Sequence, residues 1–179
     1  VRDVWGRIFE NKYKLFAFTT GLFARPFGYE LNLSSGDRES PERGRMSQIL
    51  MKTERDLGAM ISFDPRVKTT KLKILKIDLG VFNGPGLSSP TDYDSHKDII
   101  GRIALKPQTI AKNVTLGVAA SLLAGGLNQN TKYIYTTQTM GGNKNFVVDS
   151  SASNFGKISP RKYYGIDAQL KIKNKVGFT

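Results

Sequence analysis

Three aspartates and a histidine crowd one short stretch: Asp92, Asp94 and Asp98, with Tyr93 and His96 between them. Spaced side-chain oxygens are what a hard cation such as calcium requires. The glycine and the closing glutamate of a helix–loop–helix calcium loop are absent, so the stretch reads as a polar loop with His96 exposed on it. Charges of both signs alternate in Arg38-Glu39-Ser40-Pro41-Glu42-Arg43-Gly44-Arg45, and Glu54-Arg55-Asp56 sets an arginine between two carboxylates. Such sets form solvated ion pairs, which contribute little when exposed. Lining a constriction, they would instead set a transverse field that selects solutes by charge and size. Asp78, on a strand, reads either as a lumen-facing group or as a local ion-pair partner.

The absence of cysteine from the sequence excludes a disulfide scaffold, a cysteine zinc site, an iron–sulfur cluster and thiol catalysis. One histidine leaves little room for imidazole chemistry. No nucleophile–base–acid set, glycine-rich phosphate loop or metal-ligand spacing stands out. The chain is therefore not read as an enzyme, and no cofactor or metal is expected. Twenty-seven Lys and Arg against fifteen Asp and Glu give a net charge of +12. Nucleic-acid binding is one source of such an excess, but the lysines are spread along the chain instead of gathered with stacking aromatics, and no nucleic-acid partner is expected. Two other sources fit: attraction of anionic solutes to a cavity, and contact of Arg66, Lys68, Lys71, Lys106 and Lys112, all beside short links, with anionic lipid headgroups.

The elements that must position these groups are strands. In Arg55 to Phe63 the positions Leu57, Ala59, Ile61 and Phe63 are apolar, while Asp56, Gly58 and Ser62 are small or polar, with Met60 the exception. Period 2 marks a strand with two unlike faces. Asp98 to Lys106 repeats it, with Ile99, Gly101, Ile103 and Leu105 against Asp98, Arg102, Ala104 and Lys106, and Ile100 out of pattern. Asn113 to Leu123 sets Val114, Leu116, Val118, Ala120 and Leu122 apart from Thr115, Gly117, Ala119 and Ser121. Arg161 to Lys173 sets Tyr164, Ile166, Ala168, Leu170 and Ile172 apart from Tyr163, Asp167, Gln169, Lys171 and Lys173. Lys71 to Phe82 is β-rich with mixed faces, and Lys12 to Leu33 is extended, broken at Pro26. Tyr163-Tyr164 near a strand start suits an interfacial aromatic girdle. No helix is evident, and no run is long and apolar enough for a transmembrane helix.

Connections alternate in length: long loops at about 34–53, 83–97 and 126–160, short links at 64–70 and 107–112. An up-and-down meander with two unlike ends has this pattern, and membrane β-barrels show it systematically. Strands of about 10 to 12 residues also match a tilted span of the bilayer. Periodicity alone fits a membrane barrel and a soluble all-β sandwich equally.

The run Gly21-Leu22-Phe23-Ala24-Arg25-Pro26-Phe27-Gly28-Tyr29-Glu30 leads into Ser34-Ser35 and the Arg38 to Arg43 loop, and then into Glu54-Arg55-Asp56-Leu57-Gly58. Phe82-Asn83-Gly84, Lys97-Asp98 and Gly101-Arg102 follow in order. Together these motifs resemble the porin family that includes the phosphate-selective porins O and P, over most of residues 12 to 125 and again at 161 to 173. The resemblance implies one outer-membrane β-barrel domain over residues 1–179, an antiparallel up-and-down barrel of about 16 strands of which this chain supplies six or seven. It implies the outer membrane of a Gram-negative bacterium, and passive diffusion of small, anion-leaning solutes. Asp98, Arg102, Lys106, Asp167, Gln169 and Lys171 would line the pore. Arg38, Glu39, Glu42, Arg43 and Arg45 would form a constriction loop. Leu57, Ile61, Ile99, Ile103, Leu105, Leu116, Val118, Ile166 and Leu170 would face lipid. Outer-membrane lipid and small solutes are the expected partners, with a second copy or a membrane-assembly component beside them. The concentrated basic ladder of the phosphate-selective members is absent, so phosphate selectivity does not carry over. A non-conducting barrel component and a soluble all-β polyanion-binding protein are the rival readings.

Overall fold

Antiparallel pairing accounts for most of the chain. The computed structural model describes residues 3–38, 40–67, 70–88, 96–172 and 177–178. The strands are β1 (Val4–Phe9), β2 (Phe16–Ala24), β3 (Arg55–Phe63), β4 (Leu75–Phe82), β5 (Asp98–Ala111), β6 (Val114–Asn128), β7 (Ile134–Met140), β8 (Asn143–Asp149), β9 (Ile158–Ile172) and β10 (Gly177–Phe178), with one six-residue helix, α1 (Arg45–Leu50). The fold is all-β. Eight strands form one sheet in the order β1-β2-β3-β4-β5-β6-β9-β10, and β7 pairs with β8 alone. Among the described residues every pairing is antiparallel. The sheet is open, with β1 and β10 at its edges.

Within this meander the links after β1, β3 and β5 lie at one end of the sheet. Those after β2, β4 and β6 lie at the other and are the long ones. Several boundaries differ from the sequence reading. β1 was not expected, and the extended Lys12 to Leu33 run shrinks to β2 because Pro26, which has no N–H for a ladder, sits just beyond its end. Lys71 to Phe82 opens with a 3-10 turn, Lys71–Ile74, before β4 begins. The link placed at 107–112 is only Lys112-Asn113, with Asn113 in the left-handed region at φ 66°. β5 runs through Pro107 because the register slips between Leu105 and Gln108, where the missing N–H is tolerated. The 126–160 loop holds the β7–β8 hairpin, and the loop between β2 and β3 holds α1, where no helix was expected.

The two faces of the sheet are unlike. Leu57, Ile61, Ile99, Ile103, Leu105, Val118 and Ile166 stand exposed on one face, joined by Phe18, Leu79, Leu122 and Tyr164. Cross-strand partners hold these residues in continuous rows, as in Phe18–Ile61–Leu79 and Ile103–Ala120–Ile166. Ile103 is 54% and Ile166 90% exposed, while Ile100 and Leu123 on the opposite face are at 0%. The difference arises because the segment after β2 folds back over the second face and covers it. We call the two the bare face and the loop-bearing face.

Candidate functional site

The loop-bearing face is built in two tiers. The upper tier is an apolar cap made where the β2–β3 connection lies across the strands. Phe23, Phe27, Leu31, Met51, Phe82, Ile100 and Leu123 form one buried cluster, with Leu50, Met60 and Tyr163 packed against it. The Phe23 and Phe82 rings meet at 5.3 Å, and Phe27 meets Tyr163 edge-on at 6.3 Å. The ring of Phe82 occupies the space where Gly58 and Gly80 have no side chain: a Cβ on Gly80 would lie 2.6 Å from it. Phe27 covers Gly165 in the same way, at 3.3 Å. These glycines let aromatic rings lie directly on the sheet backbone.

Charges are sealed beneath and beside this cap. Arg25, Asp56 and Asp98 are all buried. Arg25 and Arg161 each donate to the Gly84 carbonyl at 3.3 Å, while the Gly84 N–H donates to Asp56 Oδ2 at 2.7 Å. The turn residue Gly84 is thereby held through both its N–H and its carbonyl. Arg25 also donates to the Thr53 carbonyl, and Arg161 pairs with Asp98. A Cβ on Gly125 would fall on the Asp98 carboxylate, so this glycine is the space that lets Asp98 sit there. Burial pulls the Arg25 guanidinium below its ordinary range, with the Asp56 carboxylate opposing; arginine stays a cation regardless. Glu54 receives Arg38, Arg43 at 3.1 Å and Arg55 at 2.8 Å. Glu30 accepts from the Gly44 N–H at 2.7 Å and from the Ser47 hydroxyl at 2.6 Å, fixing the start of α1.

The lower tier is polar and open. Ser62 donates to Asp78 at 2.6 Å, and Lys76 pairs with the other oxygen of Asp78 at 3.1 Å. Arg102 grips Asp167 through both terminal guanidinium nitrogens, at 2.6 and 2.8 Å. Ser121 accepts from Arg102 at 3.1 Å and from the Gly28 N–H at 3.0 Å, joining the two tiers. Lys106 pairs with Asp64 at 2.6 Å. A cavity of about 430 Å³ opens here, bounded by Tyr29 and Asn32 of the loop and by Lys76, Arg102, Lys106 and Lys171 of the strands. Of the four cations around it, Lys76, Arg102 and Lys106 are paired with Asp78, Asp167 and Asp64, and Lys171 has no carboxylate partner among the described residues.

The sequence-derived candidates fall into different places. Arg102, Lys106, Asp167, Gln169 and Lys171 lie on the loop-bearing face, and all but Asp167 border the lower cavity. Asp98 shares the face but is sealed under the cap, a correction to its reading as an open lining group. Arg38 and Arg43 converge on Glu54, whereas Glu42 and Arg45 are exposed. Glu39, Asp92 and Asp94 fall outside the described residues, as does Lys68. His96, expected to be exposed, is half-buried against Gly126. Among the described residues no group of three or more His, Cys, Asp or Glu could hold a metal. Asp78 pairs locally with Ser62 and Lys76, the second of the two roles its sequence allowed. Arg161 and Lys76 were missed. Arg161 shares the parity of Asp167 along β9, and that signal assigns its face.

The chain matches no protein-family model, no curated protein and no solved structure.

On the bare face, Gly101 and Ala120 leave a shallow trough of about 750 Å³ walled by Ile77, Leu79, Ile103, Leu122, Tyr164 and Ile166. Its walls offer hydrocarbon and almost no hydrogen-bonding groups.

Proposed function

We propose that this sheet is part of an outer-membrane β-barrel of porin type, which gives small solutes, anions above all, a passive path along the loop-bearing face. One observation carries the reading: a field of exposed Leu, Ile, Val, Phe and Tyr, interrupted by Thr20, Gly101 and Ala120, covers one face from β2 to β9, while the ionisable side chains of these main-sheet strands, Arg55 and Lys162 excepted, lie on the other. In water so large an apolar area is a liability. Against acyl chains it is the expected surface, because lipid-facing and lumen-facing residues alternate along barrel strands. Short links at one end and long loops at the other fit the same architecture. Open strand edges in hydrocarbon would cost several kcal/mol for each unmet backbone group, so further strands would complete the wall. The motifs resembling the phosphate-selective porin family support the reading as well. Their residues (Phe23, Arg25, Phe27, Glu30, Glu54, Asp56, Phe82, Gly84, Asp98) form the cap and its ion network. Lys171, the lower-cavity cation with no carboxylate partner among the described residues, favours anions at the cavity mouth.

The packing of the β2–β3 connection against the lumen-side wall favours a second reading, a non-conducting barrel component of an outer-membrane assembly. Planar-bilayer recording of the full-length parent chain separates the two. Steps of conductance with an anion-selective reversal potential are expected. A protein that inserts but never conducts would transfer the case to the assembly reading, and a chain that leaves cells without detergent would end both.

A further inference from the structure

The two ends of the sheet treat their charges differently. At the long-loop end, five arginines are matched, Arg25 with Asp56, Arg161 with Asp98, and Arg38, Arg43 and Arg55 with Glu54, while Arg45, Lys52 and Lys132 stand exposed. At the short-link end the cations are not matched. The β1–β2 and β3–β4 links carry Lys12, Lys14, Arg66, Lys71 and Lys73, all exposed, against Glu10 and Asp64. Both carboxylates are already engaged. Glu10 accepts the Tyr13 and Leu15 N–H groups, closing its own turn. Asp64 takes Lys106 at 2.6 Å. Arg66 donates to the carbonyls of Glu10 and Phe16 and lies 4.5 Å over the Phe9 ring, an arrangement that fixes its position without neutralising it. Among the described residues none of these five cations has a carboxylate partner.

These cations are interleaved with exposed apolar side chains. Lys71-Leu72-Lys73-Ile74 alternates charge and hydrocarbon in four residues, all exposed. Lys12 lies over the Tyr13 ring at 5.1 Å. Phe16 and Phe63 meet edge-on at 5.4 Å at the strand ends just inside the links, on the bare face. Continuing inward, that face is the apolar field already described. Hydrocarbon, then aromatic rings, then unneutralised lysines is the layering of a membrane–water interface, where amphipathic rings lie at headgroup level and long cationic side chains reach outward.

We infer that the short-link rim, built around Lys12, Lys14, Arg66, Lys71 and Lys73, binds the phosphate groups of anionic phospholipids in the leaflet that adjoins it. The inference rests on the membrane-barrel reading and adds a partner to it. An acidic protein would satisfy the lysines, but it would have no use for an apolar surface that runs without a break from the rim to mid-sheet. Zwitterionic headgroups would satisfy the aromatic layer and leave the positive charge unanswered. Each cation near an anionic leaflet strengthens binding by about fivefold, and salt screens the effect.

The test uses the full-length protein in nanodiscs containing phosphatidylcholine and phosphatidylglycerol, beside a K12Q/K14Q/K71Q/K73Q variant that leaves Arg66 and every cavity residue intact. Co-purified lipid is counted by mass spectrometry. Enrichment of phosphatidylglycerol around the native protein is expected, falling by about tenfold or more in the variant and in high salt, while insertion into pure phosphatidylcholine is equal for both. Equal lipid profiles for the two proteins would overturn the inference and leave the barrel reading standing. Failure of the native protein to insert into either lipid would instead sink the barrel reading, and this inference with it. Displacement of bound phosphatidylglycerol by soluble polyglutamate at low salt, with no apolar contact required, would reassign the rim to an acidic protein partner.

Discussion

Arg102 on β5 reaches across β6 to take both carboxylate oxygens of Asp167 on β9, at 2.6 and 2.8 Å. The pair thus spans three strands of one face, and both side chains are mostly buried. Two-pronged geometry of this kind is among the stronger forms of ion pairing. Replacing Arg102 by Ala would leave Asp167 without its partner and remove a cation from the cavity wall. The expected loss of stability is about 1–3 kcal/mol, between an exposed pair and a fully buried one. On the channel reading, single-channel reversal potentials should move toward cations. Unchanged selectivity with lowered stability would mean that the pair is structural and that solutes pass elsewhere.

The cap depends on rings lying on glycine. Phe82 is buried against Gly58 and Gly80 and touches Phe23. Phe82→Ala should cost about 3–5 kcal/mol, as for other buried aromatic truncations. Gly80→Ala should also destabilise, because its new methyl would meet the same ring at 2.6 Å. Urea unfolding followed by heat-modifiable gel mobility measures both. The double variant Phe82→Ala/Gly80→Ala should lose less than the sum, since the methyl then enters the space the ring has left. Strict additivity would show that ring and glycine do not share that space.

How much of this was legible in the sequence follows from range. Period 2 reads as faces because each side chain's side depends only on its parity, which is why Ile103 and Arg102, or Ile166 and Asp167, were separated correctly by alternation. The misfits mark the loop. Met60 and Ile100 broke the pattern, and Lys71 to Phe82 looked mixed, because Met60, Phe82 and Ile100 are apolar on the polar face, under Phe27, Leu31 and Met51. Their partners lie far along the chain, so no local window reveals them. Arg161 shows the same limit: parity gives its face, but Asp98 is 63 residues away. The β7–β8 hairpin escaped notice because Thr136, Thr137, Gln138 and Asn145 give it no apolar alternation, and almost all of its residues are exposed.

Asp149, at the end of β8, offers a pH readout outside the main sheet. Its carboxylate accepts the Ser151 hydroxyl at 2.6 Å and the Ser151 N–H at 2.9 Å. The Ser151 hydroxyl above all, with the Asn154 side chain and the Ser151 N–H, holds it down from 3.8 to about 2. A depressed carboxylate stabilises the folded turn fully above its unfolded value, and that contribution is lost as pH falls through the folded one. The turn should therefore hold down to about pH 4 and loosen between there and about pH 2. The Ser151 amide resonance should titrate with a midpoint near 2, and Asp149→Asn should abolish the transition. A midpoint at the ordinary carboxylate value would mean that these hydrogen bonds do not form in solution.

The assignment of the two faces carries the heaviest consequence and has the most direct test. Ile103 and Ala104 are neighbours on β5, yet Ile103 stands in the apolar field while Ala104 borders the polar cavity. A charge on a lipid-facing side chain costs about 2–4 kcal/mol near the membrane midplane and much less nearer the interfaces. On the membrane reading Ile103→Arg should therefore destabilise the fold by that amount, whereas Ala104→Arg faces the water of the open cavity, opposite Lys76, whose like charge that water screens, and should cost under about 1 kcal/mol. Reversible folding into lipid vesicles, titrated with guanidinium, gives both values. In detergent-free buffer the ranking should invert, since Ile103→Arg would relieve an exposed apolar patch and improve solubility. If instead both arginines are tolerated equally in vesicles, the rows of exposed isoleucine and leucine do not meet acyl chains. The polar face would then have no claim to be a lumen.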